Sequence, residues 1–181
     1  MKIVYLILII LVIGILLYFL VASKNNNYKK LSPKGVNMKI ESSSFQDSGA
    51  IPDKFTCKGK GVAPELFWSN FPEGTKSFAL IAEDPDAPGG TFIHWVLYNI
   101  PSGVTSIPEG STTILEASSA KNSGGKTDYY PPCPPSGKHR YIFKIFALST
   151  EKIDGITEDN FYEKIKPYIL DHAEITGLYG K

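Results

Sequence analysis

Two Pro-rich turns carry the residues of this chain whose types and spacing suit chemistry. The first, Asp84-Pro85-Asp86-Ala87-Pro88-Gly89-Gly90, runs on to His94-Trp95; the second, Pro131-Pro132-Cys133-Pro134-Pro135, runs on to His139-Arg140-Tyr141. If the two segments meet, Asp84, Asp86, His94, His139 and Tyr141 converge into a small polar site. Protonated histidine donates to phosphate oxygens, a nearby carboxylate favours imidazolium and fixes which ring nitrogen carries hydrogen, and a tyrosine hydroxyl adds a neutral donor. The carboxylates repel a dianion unless a histidine proton, a bound cation or a protonated carboxyl intervenes. Such a set describes a small polar binding pocket better than turnover, and affinity for an anion held there would fall as pH rises through the histidine range.

Other chemistries find less support. There is no C-x-x-C pair, no H-x-x-x-H and no helical H-E-x-x-H, so no metal site is expected. No nucleophile elbow and no Gly-rich phosphate loop opening a helix is present, and no cofactor is implied. A hydrolase using His94 or His139 as general base stays as an alternative to a binding protein. Cys133 between prolines reads as a structural cysteine rather than a nucleophile served by His139. Cys57 and Cys133 are the only cysteines. They are consistent either with one disulfide closing a long loop, stabilising by on the order of a few kcal/mol, or with two free thiols. A formal net charge of +1 and a pI near 7.7 argue against a nucleic-acid partner held through its phosphates.

Strands must position these groups. Proline fixes φ and lacks an N–H, so both turns sample few conformations and lose little entropy around a ligand. The run Phe92 to Ile100 alternates, with His94, Val96 and Tyr98 on one face and Ile93, Trp95 and Leu97 on the other. In the run from His139 to Leu148, His139, Tyr141 and Phe143 share a face and Arg140 points away. Further strands are expected at Met38 to Ser42, Glu65 to Trp68 and Ser77 to Glu83. The connection Pro101 to Pro135 is longer than structure alone requires. Near the C-terminus Thr157 is placed to cap a helix carrying Phe161 and Ile165 on one face, and 167–174 reads as a short second helix before Gly177. The fold class is mainly β: an antiparallel β-sandwich with short peripheral helices, preceded by one N-terminal transmembrane helix.

That N-terminal element runs from Ile3 to Ala22, apolar apart from Tyr5, Gly14 and Tyr18, which is bilayer-spanning length. Residues 1–23 therefore read as a transmembrane anchor, with a signal cleaved near Val21-Ala22-Ser23 as the competing reading. Residues 24–37, with three consecutive asparagines and four lysines, form a flexible linker, and 38–181 a single domain. Lys24, Lys29, Lys30 and Lys34 weigh toward a cytoplasmic domain. An uncleaved signal anchor or a cleaved signal exports it instead. The extracytoplasmic side is the expectation, because a small binding fold needs no tether to work in the cytoplasm.

The pattern resembles the phosphatidylethanolamine-binding protein family, specifically its prokaryotic Raf-kinase-inhibitor-like branch. Beyond the two turns, the resemblance is carried by Ile51-Pro52, Phe55-Thr56-Cys57, Pro64-Glu65-Leu66-Phe67-Trp68, the run Pro72 to Leu80, and Leu178-Tyr179-Gly180. It covers roughly Met38 to Lys181. It implies a pocket for phosphate-like groups with Asp84, His94, Pro134, His139 and Tyr141 at the matching positions, Asp86 in the same acidic turn, and Pro135 beside Pro134 in the wall. It also implies a partner: a small anionic or phosphorylated ligand, or, as the family's names suggest, a kinase or protease inhibited through protein contacts. Two departures stand out. Lys58-Gly59-Lys60 lies where that branch has an acidic residue, and Tyr130-Pro131 lies where it has glycines, so the mouth is expected to be narrower and differently charged.

Overall fold

The computed structural model describes residues 37–181; the expected membrane span, and the expected linker up to residue 36, lie outside the described residues. Among the described residues no helix is long and apolar enough to cross a membrane. Among the described residues nine strands make two sheets. The smaller joins β1 (Lys39–Glu41), β3 (Leu66–Ser69) and β6 (Ser106–Ile107). The larger has six strands in the order β2-β9-β8-β4-β5-β7, built on β4 (Ser77–Asp84), β5 (Phe92–Pro101), β8 (Lys138–Leu148) and β9 (Ile169–Gly180). The short strands β2 (Gly49–Ala50) and β7 (Ser118–Ser119) close its two edges. Pairing is antiparallel throughout except between β2 and β9.

Both faces of the large sheet are covered, which explains why every residue of β4 is buried. One face packs Phe78, Leu80, Trp95 and Phe143 against Ile40, Leu66 and Trp68 of the small sheet, with Trp68 edge-on to Phe78 at 5.5 Å. The other face packs Ala79, Ile81, Val96 and Phe146 against Ile153, Ile156, Phe161 and Ile165. Here α1 (Phe161–Ile165), the one α-helix among the described residues, lies with Phe161 and Ile165 buried. Its cap is Asn160 rather than Thr157. The Asn160 side chain accepts from the Thr157 N–H at 2.8 Å, and the Thr157 hydroxyl accepts in return from the Asn160 N–H at 3.3 Å.

The expected second helix at 167–174 is a strand. A 3₁₀ turn, Lys166–Tyr168, holds Pro167, and the chain then enters β9, which pairs along β8 from Leu148↔Ile169 to Lys138↔Gly180. Local propensity yields because β8 would otherwise present an unpaired edge, and because His172 stacks on Phe146 across the ladder at 5.7 Å. Gly177 fits the same need, since a Cβ there would sit 2.5 Å from the Ile51 side chain.

Strand β5 departs from simple alternation. Ala82 pairs with Trp95 but Glu83 pairs with Ile93, so His94 is an extra residue in the ladder. Such a bulge re-aims a side chain. Ile93 joins Val96 and Tyr98 on the helix-covered face, and His94 turns to the face of Trp95 and Tyr141, opposite to the face that uninterrupted alternation predicts. A second irregularity, between Phe78 and Leu80 on β4, accompanies Asn99 at φ 55°.

Candidate functional site

The ends of β4, β5 and β8 meet at one edge of the sandwich around a cavity of about 310 Å³. Asp84 ends β4, His94 enters from the β5 bulge, and His139 and Tyr141 project from alternate positions of β8. Pro134 and Pro135 form one wall, and Ala87, Pro88 and Phe92 contribute to the opposite rim. Six of the seven residues expected from sequence therefore line one cavity.

Asp86 is the exception. Its carboxylate accepts two bonds from the Arg140 guanidinium, at 2.7 and 2.9 Å, and a third from the Arg140 N–H at 3.0 Å. This pair lies outside the cavity because Arg140 occupies the position of β8 that points away from Tyr141. Arg140 holds the Asp86 carboxyl at about 2, well below its ordinary value. Asp86 thus orients neither histidine; it ties the acidic turn to β8.

The histidines are oriented by different acceptors. His139 Nδ1 lies 2.7 Å from Asp84 Oδ2, with both side chains buried, while Asp84 Oδ1 accepts the Asp86 N–H at 2.8 Å. His94 Nδ1 lies 2.7 Å from the Tyr130 carbonyl. A carbonyl only accepts, so His94 Nδ1 carries hydrogen and Nε2 is the nitrogen left for the cavity. The carboxylate imposes the same arrangement on His139. Burial pushes the His94 pKa below its ordinary value, against the pull of the Tyr130 carbonyl and of Asp84.

Tyr141 completes the floor. Its hydroxyl is buried and makes no hydrogen bond of ordinary length within the described residues, although the Asp84 carboxylate lies close enough to act on it. Desolvation, followed by the nearby Asp84 charge, raises its pKa, so the phenol stays a neutral donor. Two other buried donors lack partners, the indole nitrogens of Trp68 and Trp95, but these lie in the core between the sheets. Of the three, only Tyr141 lines the cavity.

Two contributors were not singled out as binding residues in the sequence. Tyr130 acts through its backbone carbonyl, which no side-chain pattern reports, and its ring closes the mouth beside Phe92 at 5.2 Å. Asn122 is buried and donates to the His94 and Asp128 carbonyls at 3.3 and 2.8 Å while accepting from the Gly124 and Lys126 N–H groups. It staples the loop that carries Tyr130 to β5. The Asn-Ser-Gly-Gly sequence at 122–125 marks a turn, though not its target. Cys57 and Cys133 form a disulfide, and Cys133 lines the cavity.

Among the described residues no cluster of His, Cys, Asp and Glu is arranged to hold a metal ion. The fold is thus a mainly β sandwich that gathers two oriented imidazoles, a carboxylate and a buried phenol at the ends of three interior strands. The model of the family described as phosphatidylethanolamine-binding protein matches residues 41–180, and the chain belongs to that family. It is 44% identical over 163 residues to a UPF0098 protein of Aquifex aeolicus, covering 86% of this chain and 95% of that one. It is 36% identical over 150 residues to a UPF0098 protein of Methanothermobacter thermautotrophicus, covering 80% and 99%. Among solved structures it is similar to a phosphatidylethanolamine-binding protein homolog, CT736, of Chlamydia trachomatis, with 35% identity, a TM-score of 0.75 and coverage of 81% of this chain and 99% of that one. Escherichia coli YbcL, titled a new member of the mammalian PEBP family, matches at 31% identity and a TM-score of 0.76, covering 80% and 99%.

Proposed function

We propose that the cavity binds a small phosphate-like anion, free or as the head of a phosphorylated ligand, without turning it over. The observation that carries this reading is the buried Tyr141 hydroxyl at the cavity floor, which makes no hydrogen bond of ordinary length within the described residues. A buried donor without a partner costs about 1–3 kcal/mol, a cost that a ligand oxygen removes. The two histidines supply the remaining donors through Nε2, which bears hydrogen only when the imidazole is doubly protonated. A monoprotonated phosphate achieves the same bond in reverse, its P–OH donating to a neutral Nε2. Either way the complex contains a proton that the separated partners lack at higher pH, so affinity falls as pH rises. Asp84 fixes the His139 ring and offsets its charge.

The remainder of the reading concerns placement. Residues 3–22 are apolar over the length of a membrane span, which supports a tethered protein. The disulfide supports a domain held on the oxidising, extracytoplasmic side. Hydrolysis by a cavity histidine is a rival outcome of the same experiment, and a kinase or protease partner would show instead as a change in that enzyme's activity on adding the protein. Titrating the full chain with inorganic phosphate, and then a variant carrying both His94→Gln and His139→Gln, tests the assignment. Binding lost from a folded double variant supports it, and unchanged phosphate affinity sinks it. Phosphoester turnover that disappears with His94→Ala would establish the hydrolase instead.

A further inference from the structure

The proline wall of the cavity is anchored at Pro132, which is buried, and beyond it the wall is tied down by sulfur more than by backbone hydrogen bonds. Within residues 131–137, Pro131, Pro132, Pro134 and Pro135 have no N–H to donate. Among the described residues, one backbone–backbone hydrogen bond reaches this segment, from the Cys57 N–H to the Pro132 carbonyl at 3.1 Å. The Cys57–Cys133 disulfide joins the same two segments, with Cα atoms 5.4 Å apart. Both cysteines are exposed, and Cys133 faces the cavity. The donors across the cavity have a different support: Asp84, His139 and Tyr141 stand on β4 and β8, which pair with each other from Ser77↔Leu148 to Glu83↔Ile142.

We infer that the exposed Cys57–Cys133 disulfide is a redox modification site whose reduction by a dithiol loosens the proline wall and weakens anion binding. This rests on the anion-binding reading of the cavity. A thiolate of the reductant attacks one sulfur, the protein S–S bond breaks, and a mixed disulfide forms. The second thiol of the reductant then displaces the remaining cysteine. Two electrons and two protons pass to the protein, which leaves with two thiols, and the reductant leaves as a disulfide. Exposed disulfides are the more easily reduced ones. Once the bond opens, the wall keeps the burial of Pro132 and the single hydrogen bond from Cys57, and the largely exposed stretch from Cys133 onward has to be re-ordered at each binding event. That ordering cost appears as lost affinity.

The test uses the full chain, oxidised, reduced with dithiothreitol, and as the Cys57→Ser/Cys133→Ser double variant. Thiol titration, residue-resolved amide hydrogen exchange and phosphate titration are run on each. The expected result is two free thiols after reduction, slow exchange retained in β4 and β8, faster exchange at the Cys57 amide that donates to Pro132, and phosphate affinity lower by about tenfold. Equal affinity in the oxidised and reduced protein would overturn the inference. So would a bond that resists the dithiol while the protein stays folded, or loss of protection in β4 and β8 together with the wall, which would make the disulfide a global staple. An oxidised protein that does not bind phosphate overturns the anion reading alone. Exchange at the wall then decides whether the disulfide governs it.

Discussion

Asp84 Oδ2 and His139 Nδ1 lie 2.7 Å apart, although 55 residues separate them in sequence and each is contributed by a different strand of the large sheet. The bond satisfies two buried polar groups at once and sets the direction in which His139 presents Nε2. Replacing Asp84 by alanine leaves a buried imidazole without its acceptor, which should cost about 3 kcal/mol of stability. It should also lower phosphate affinity. Urea denaturation read beside a phosphate titration checks both, and a variant as stable as the parent would show that the pair is not the support described.

Tyr141→Phe separates binding from stability. The hydroxyl makes no hydrogen bond of ordinary length within the described residues, so its removal should leave stability unchanged or raise it by up to about 1 kcal/mol. Phosphate affinity should fall about tenfold, the worth of one hydrogen bond to a charged acceptor. A stability loss with affinity intact would reverse both assignments.

Acid should act in opposite directions on the empty and the occupied protein. The folded-state pKa of His94 is lowered from its ordinary 6.5, so near that value the unfolded chain binds more protons than the folded one. The contribution of His94 to stability is therefore fully present above pH 6.5 and is lost as pH falls through the lowered folded value. Phosphate affinity should increase over the same interval. Melting temperatures and phosphate titrations from pH 5.5 to 8 test the pair of trends, and His94→Gln should flatten the first. Flat affinity in the parent would remove histidine from anion recognition.

Asp86→Asn is expected to leave phosphate affinity within about twofold, because its carboxylate faces Arg140 outside the cavity. The bond to Arg140 lowers the Asp86 pKa from 3.8 to about 2, so whatever stability the pair contributes is present above pH 3.8 and is lost as pH falls through about 2. Being exposed, it contributes little. A tenfold loss of affinity would place Asp86 in the binding machinery after all.

Gly124→Ala should weaken phosphate binding although Gly124 does not itself line the cavity. A Cβ at Gly124 would meet the Tyr130 ring at 2.5 Å, too close to be accommodated without moving it. Because the Tyr130 carbonyl orients His94, the displacement should be read in the His94 imidazole resonances before it is read in stability. Unshifted His94 resonances would show that the ring moves independently of its backbone.

Much of the molecule follows from sequence by itself. The alternation of His139, Tyr141 and Phe143 against Arg140 is a property of consecutive residues in an extended chain, and β8 keeps it. The apolar run of β4 and the proline content of the two turns are equally local, and with the motif order they identify the family, which the matches to solved structures and relatives bear out. Three matters needed the tertiary structure. The face of His94 depends on one extra residue in the pairing of β5 with β4, and register is a relation between strands that neither strand encodes alone. Residues 169–180 become a strand because the edge of β8 needs a partner, a demand imposed from outside the segment. The roles of Asp84 and Asp86, two residues apart in one turn, diverge because one ends β4 facing the cavity and the other meets Arg140 on the far side of β8. Residue types and periodicity are written along the chain, whereas which group faces which across a sheet is set only when distant segments pack.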